Sequence, residues 1–202
     1  MRRTVSLYFV RHAQASHNIA AEMYGDYAYY DPIHTDSNLT EMGVKQSVDL
    51  QYFFKKNNPD IVYSSSLRRC LQTLDNALID YKSRIHVDDR LAERLGEHPC
   101  NKRTHKNNLR SHIHRELNID NVINDFNWLP KRETDEQMID RCKKWYFDMI
   151  EYVKQNDHIE RVAIFSHYDF LITVLSKGLP FSSTENSKPF NNAEVREIKL
   201  YL

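Results

Sequence analysis

Two residue types that can bind and attack an anion stand side by side where an apolar run stops. In Leu7-Tyr-Phe-Val-Arg-His-Ala-Gln-Ala-Ser-His-Asn18 the hydrophobic stretch ends at Val10, and Arg11 and His12 follow it. Such a run predicts a buried strand. In an open α/β sheet, ligands bind in the crevice beyond the carboxyl ends of the strands, so Arg11 would bring a cation there and His12 a nucleophile. Three further stretches place chemistry in similar settings. Tyr63-Ser-Ser-Ser-Leu-Arg-Arg-Cys-Leu-Gln-Thr73 follows the short apolar run Ile61-Val-Tyr63 and delivers Arg69 one helical turn into the next segment. Ile164-Phe-Ser-His167 ends another apolar strand in a second histidine, and Leu91-Ala-Glu-Arg-Leu-Gly96 sets Glu93 at the start of an irregular basic segment. An isolated Arg-His pair reads equally well as surface charge, and an isolated histidine as a hydrogen-bonded core residue. The four stretches together point to a site.

The segments that must hold these residues alternate between strand and helix. Periodicity predicts strands over 5–10, 61–63, 84–87, 161–166 and 195–201, with helices over 16–23, 40–56, 67–81, from Thr134 onward, and 169–177. Thr40 can cap its helix, with Val44, Val48, Leu50, Phe53 and Phe54 turned inward before Asn57-Asn-Pro59 ends it. Thr134 starts another, with Asp135 and Glu136 in the first turn and Met138, Cys142, Trp145, Met149, Tyr152 and Val153 as its apolar face. Strands separated by helices give an α/β fold, a mostly parallel central sheet flanked by helices on both faces. The loop from Tyr24 to Asn38 is rich in Tyr, Asp and Asn, and its tyrosines read as packing residues. From His98 to Lys131 there is no clean strand, and only the part around Leu109 to Leu117 could be helical.

With the four stretches in this order, the chain resembles the histidine phosphatase (phosphoglycerate mutase-like) superfamily. That signature runs Arg-His-Gly, then Ser-x-Leu-x-Arg-x-x-Gln-Thr, then Leu-x-Glu before an insertion, then Ser-His-Gly. Leu39-Thr-Glu-Met-Gly-Val-Lys-Gln46 likewise resembles the family's Leu-Thr-x-x-Gly-x-x-Gln segment, a structural rather than chemical match. Three positions depart from the pattern: Ala13 replaces the first glycine, Ala15 stands where many members carry Ser or Thr, and Tyr168 replaces the last glycine and could narrow the pocket. Arg-His-Ala-Gln-x-x-His-Asn, with Pro99-Cys-Asn-Lys-Arg103 and Arg132-Glu-Thr134, is similar to a fungal and plant branch of phosphoglycerate mutase-like phosphatases. The resemblance covers nearly the whole chain. It implies one phosphoglycerate mutase-like domain over 1–202, with a basic lid inserted at about 97–133 above the strand ends.

The resemblance further implies hydrolysis of a phosphomonoester through a phosphohistidine on His12, with no metal or other cofactor. Phosphoryl transfer needs an in-line nucleophile, cations around the equatorial oxygens, and an acid for the leaving oxygen. A neutral His12 imidazole has the free lone pair. Arg11 and Arg69 carry the fork-shaped donors that suit phosphate, His167 would donate a further hydrogen bond, and Asn18 is a neutral donor to the same group. Glu93 would protonate the leaving alkoxide and then deprotonate the incoming water. Glu97 and the Asp88-Asp89 pair compete for that role, and the Leu-x-Glu frame favours Glu93. Between His98 and Arg115 lie five basic residues and four histidines with no acidic residue. Lys102 and Arg103 are therefore the expected substrate-binding residues, for a small molecule carrying several phosphates, although a solvated surface explains the run as well. A zinc site from His98, Cys100, His105, His112 and His114 is the weaker reading, because the spacings repeat no known pairing. A phosphoglycerate mutase and a catalytically inactive phospho-ligand binder are the alternatives. The first is disfavoured by the lack of a Glu-Arg-x-Tyr-Gly pattern after Glu93.

Composition excludes other classes. The 202 residues carry 28 basic and 28 acidic side chains, so net charge gives no argument for nucleic acid or a membrane surface as partner. Three cysteines suit a reducing, cytoplasmic setting better than a disulfide framework, and no apolar signal core follows Arg2-Arg3. Oligomeric state is not legible, since Trp128, Trp145 and the tyrosines suit a core or an interface equally.

Overall fold

The computed structural model describes residues 3–124, 131–177 and 188–202; Trp128 and the end of the basic segment, 125–130, lie outside them. The central strand, β1 (Thr4–Arg11), is apolar on both faces. Val5, Leu7 and Phe9 enter one core and Tyr8 and Val10 the other. A strand covered on both sides reads as a continuous hydrophobic run, which is why residues 5–10 do. Around it stand β2 (Ile61–Ser64), β3 (Ile85–Asp88), β4 (Leu117–Asn121), β5 (Arg161–Ser166) and β6 (Val195–Tyr201), in the sheet order β4-β3-β2-β5-β1-β6. Every pairing is parallel except that of β6 with β1. The α-helices are α1 (Ser16–Tyr24), α2 (Glu41–Lys56), α3 (Arg68–Ala77), α4 (Asp135–Gln155) and α5 (Tyr168–Ser176). On one face α4 and α5 bury Trp145, Met149 and Phe170 against the sheet; on the other, α2 and α3 bury Leu50, Phe54, Leu71 and Leu74. The expected α/β architecture is therefore present. Among the described residues no helix is long and apolar enough to cross a membrane.

Parallel pairing brings three strand ends together. Arg11 is in register with Ser166, and Ser64 with Phe165. The ladder continues past the strands, because His12 N–H donates to the Ser166 carbonyl (2.9 Å) and Ser65 N–H to the Phe165 carbonyl (2.9 Å). His12, His167 and Ser65 thus leave adjacent strands at the same level.

Several local expectations are corrected. Val44 and Val48 face outward on α2, and Gly43, Ser47, Leu50 and Phe54 are its buried stripe. Small residues occupy the inner positions because α2 lies against backbone. A Cβ on Gly43 would stand 2.0 Å from the Gln14 carbonyl oxygen. On α4, Tyr152 is exposed and Tyr146 and Ile150 are buried with the other apolar residues. The stretch expected to lack a strand contains β4, paired with β3 through Ile85↔Leu117 and His86↔Asn118. Asn and Asp at three of its five positions hid it, since those residues are poor strand formers. Residues 106–112 form a 3₁₀ helix, and the tyrosine-rich loop two 3₁₀ turns, Asp26–Tyr30 and Pro32–His34.

The Leu39–Gln46 segment holds the loop that carries His12. Thr40 N–H donates to the Gln14 carbonyl (3.0 Å), and Gln14 N–H to Gln46 Oε1 (2.9 Å). Gly43→Ala should therefore push that loop away from α2, at a cost of about 1–3 kcal/mol. Urea unfolding and turnover would register both effects, and an alanine variant equal to wild type in each would contradict the close packing.

Candidate active site

His12 is 2 % exposed, and its tautomer is set by its neighbours. Nδ1 lies 2.8 Å from the Ala13 carbonyl oxygen, which can only accept, so Nδ1 carries the proton. Nε2 is then the lone pair, and it accepts from Arg69 Nε at 3.2 Å. Burial, reinforced by the guanidiniums of Arg69 and Arg11, holds the imidazole well below its ordinary pKa and so neutral. The geometry presents an unprotonated ring nitrogen facing a cation.

Arg69 is wholly buried on the first turn of α3, where Nη1 donates to the Cys100 carbonyl (2.7 Å) and Nη2 to Asn101 Oδ1 (2.9 Å). Arg11 Nη1 donates to the Phe190 carbonyl (2.6 Å), its guanidinium carbon lies 5.3 Å from the Tyr168 ring centroid, and its buried Nε has no partner among the described residues. The His167 ring lies 5.1 Å from that of His12. His167 Nε2 is 2.8 Å from Ser65 Oγ, which itself accepts from Leu67 N–H. The Ser65 hydroxyl proton is thereby free to donate to Nε2, leaving the proton of a neutral His167 on Nδ1, a buried atom that also lacks a partner among the described residues. Burial and Arg69 keep this ring neutral as well. Asn18 is buried in the first turn of α1, its Oδ1 accepting from Ala15 N–H at 2.9 Å.

Glu93 follows β3 and the 3₁₀ turn Asp89–Leu91, and meets the start of α5. Its Oε1 accepts from Arg94 N–H (3.0 Å) and Asp169 N–H (3.1 Å). Burial, and then the nearby Asp169 carboxylate, raise its pKa above the ordinary glutamate value, favouring the protonated carboxyl. The competing carboxylates have other work. Asp88 accepts from Arg90, Asp89 from Ser66 and Arg103, and Glu97 is exposed.

A cavity of about 190 Å³ opens onto this constellation, lined by Arg11, His12, Asn18 and Glu93 among the expected residues. Arg69 and His167 contact His12 from behind it. Its remaining wall includes His17, Tyr29, His98, Asn101, Arg132, Tyr168 and Asp169. Of these, sequence reading placed only Tyr168 at the pocket. Arg132 closes one side, donating to His98 Nδ1 (2.7 Å) and Asp169 Oδ2 (3.3 Å), while His98 stacks on Tyr29 at 5.2 Å between centroids. His17 had a signal in its position beside Asn18. Arg132 has one in the Arg132-Glu-Thr134 match and His98 in the basic segment it opens, whereas Tyr29 has none, because a distant loop brings it to them.

None of the lysines and arginines of the basic run lines the cavity. Neither Lys102 nor Arg103 lines it: Lys102 is exposed, and Arg103 is buried against Asp89 through Nε–Oδ1 (3.0 Å) and Nη2–Oδ2 (3.1 Å). Lys106 donates to the Val122 carbonyl, and Arg115 pairs with Asp75. In this arrangement Arg103 bolts the segment to the end of β3, and neither it nor Lys102, the two residues expected to hold substrate, reaches the cavity wall. Arg103→Ala should cost about 3–5 kcal/mol of stability in urea unfolding, because Asp89 would be left without its cation. Unchanged stability with a raised KM would restore the substrate-binding role. Among the described residues no three His, Cys, Asp or Glu side chains converge to hold a metal ion.

Comparison with known proteins gives a consistent result. Residues 7–201 match the family model described as histidine phosphatase superfamily (branch 1). A protein of Arthroderma benhamiae, provisionally named phosphoglycerate mutase, is 30% identical over 176 residues, 75% of this chain and 52% of the relative. The chain thus spans about half the length of that relative. A protein of Hydrogenobacter thermophilus, provisionally named phosphoserine phosphatase 2, is 28% identical over 198 residues, 96% of this chain and 89% of its own. The crystal structure of phosphoglycerate mutase from Bacillus anthracis superposes with a TM-score of 0.69 at 20% identity, over 100% of this chain and 92% of the other.

Proposed function

This chain belongs to the histidine phosphatase superfamily (branch 1), and we propose that it hydrolyses a phosphorylated small molecule through a phosphohistidine on His12. One observation carries this reading above the others. An unprotonated, buried His12 Nε2 is faced by Arg69, with two buried donors lacking partners among the described residues close by, Arg11 Nε and His167 Nδ1. A phosphoryl group seated there would satisfy those donors while presenting phosphorus to the lone pair.

In the first step His12 Nε2 attacks phosphorus. The bond to the ester oxygen breaks, its electron pair stays on that oxygen, and Glu93 supplies the proton that makes the departing group an alcohol. Arg69 exchanges its contact with Nε2 for one to a phosphoryl oxygen, with Arg11, Asn18 and His167 around the rest. In the second step water attacks phosphorus, Glu93 takes the proton, and the N–P bond breaks to return neutral His12 and inorganic phosphate. The similarity to a relative named phosphoserine phosphatase supports hydrolysis, and the small cavity favours a compact leaving group. The chain is proposed to act as one domain over 1–202.

Release of phosphate from a panel of phosphorylated metabolites in the presence of chelator tests the proposal. Turnover is expected, with small phosphomonoesters preferred. No release of phosphate by the wild type at any pH from acid to neutral would overturn it, and isomerisation of phosphoglycerate with a bisphosphate primer would move the reading to a mutase.

A further inference from the structure

We propose that His17 is a fifth phosphate-binding side chain, a neutral imidazole whose Nδ1–H donates to an oxygen of the phosphoryl group seated on His12. The inference rests on the proposed phosphoryl chemistry at His12 and deepens it.

The tautomer follows from a chain of hydrogen bonds that admits one solution for a neutral ring. Ala15 N–H can only donate, so the Asn18 atom that receives it, at 2.9 Å, must be the amide oxygen. The amide orientation is then fixed, and the atom facing His17 Nε2 at 3.1 Å is the Asn18 nitrogen. An NH₂ group can only donate, so Nε2 must be the acceptor and the single proton of a neutral imidazole sits on Nδ1. Neutrality is favoured by burial, with Arg69 and Arg11 adding to it. His17 is 4 % exposed and lines the cavity, its ring 5.8 Å from that of His12. Its Nδ1 is buried with no hydrogen-bond partner among the described residues. Leaving a donor buried without an acceptor is costly, and a phosphoryl oxygen beside His12 would accept from it.

A structural role alone does not account for this arrangement. A ring kept only to fill the base of α1 would need one hydrogen bond to Asn18, and an apolar ring of similar size would fill the space. The Asn18 side chain thus acts twice, closing the first turn of α1 and setting which nitrogen of His17 bears the proton.

The test uses full-length protein labelled with ¹⁵N-histidine and titrated with inorganic phosphate. The free protein should show His17 with its proton on Nδ1, and phosphate should shift that resonance. His17→Phe should weaken inorganic phosphate binding about ten- to hundredfold, the range for a hydrogen bond to a charged group, with His17→Gln recovering part of the loss. Phosphate should also raise the melting temperature of wild type more than that of the phenylalanine variant. A proton on Nε2 in the free protein, a His17 signal unmoved by phosphate, or a phenylalanine variant that binds phosphate like wild type would each overturn the inference. The two readings fail separately. Wild-type turnover with no role for His17 leaves the phosphatase standing, whereas phosphate bound at His17 without release from any ester leaves the binding site and removes the reaction.

Discussion

Replacing His12 with asparagine should remove turnover almost completely, by a factor of about 10⁴ or more, as deletion of a covalent nucleophile does elsewhere. Asparagine is close in size and can still donate to the Ala13 carbonyl, so the loop and the Arg69 contacts should persist. The missing element is the Nε2 lone pair facing Arg69 at 3.2 Å. With it goes the acid-labile, base-stable phosphoprotein that rapid quenching of the wild type with a ³²P-labelled ester should trap. Inorganic phosphate should still bind the variant, because Arg11, Arg69 and His167 are intact. A His12→Asn protein that keeps the labelled intermediate would show that another residue carries the phosphoryl group.

Glu93→Gln should lose about 10²–10⁴ in kcat on an alkyl phosphate, the range for general acid catalysis, and far less on an aryl phosphate whose leaving group departs without a proton. The contrast between the substrates identifies the role, since a positioning defect would slow both alike. The pH profile carries the same signature. Burial and Asp169 raise the Glu93 pKa, while burial, Arg69 and Arg11 lower that of His12. The wild-type kcat/KM should therefore be highest on the acid side. It should fall as pH rises and Glu93 loses its proton, and fall again at lower pH when His12 gains one. Glutamine has no proton to lose, so the alkaline decline should vanish in the variant. A retained decline would assign it to another group, with Asp169 the nearest competing carboxylate.

How far these effects could be anticipated depends on where each residue sits in the chain. Strand β1 could be read as buried on both faces because an uninterrupted apolar run has few other uses. Its end at Arg11 and His12 then located the crevice. The short apolar runs of β2 and β5 located Arg69 and His167 in the same way. Helix α2 shows the limit: its cap at Thr40 was legible, yet its inner face follows Gly43 and Ser47 because the Gln14 backbone approaches to where a Cβ would stand, and no periodicity encodes such an approach.

The layered α/β scaffold, the family, and the meeting of Arg11, His12, Arg69, Glu93 and His167 are legible in the chain because each is written in local pattern: apolar runs ending in charge, a capped helix, a fixed motif order. Tertiary structure alone decided the charge balance and shape of the pocket. Arg103 is neutralised by Asp89, and Tyr29 meets His98, and His98 Arg132, only where separate loops fold together. Which cation is paired, and which imidazole nitrogen bears a proton, depends on partners distant in the chain, since hydrogen bonding and desolvation act through space rather than along the sequence.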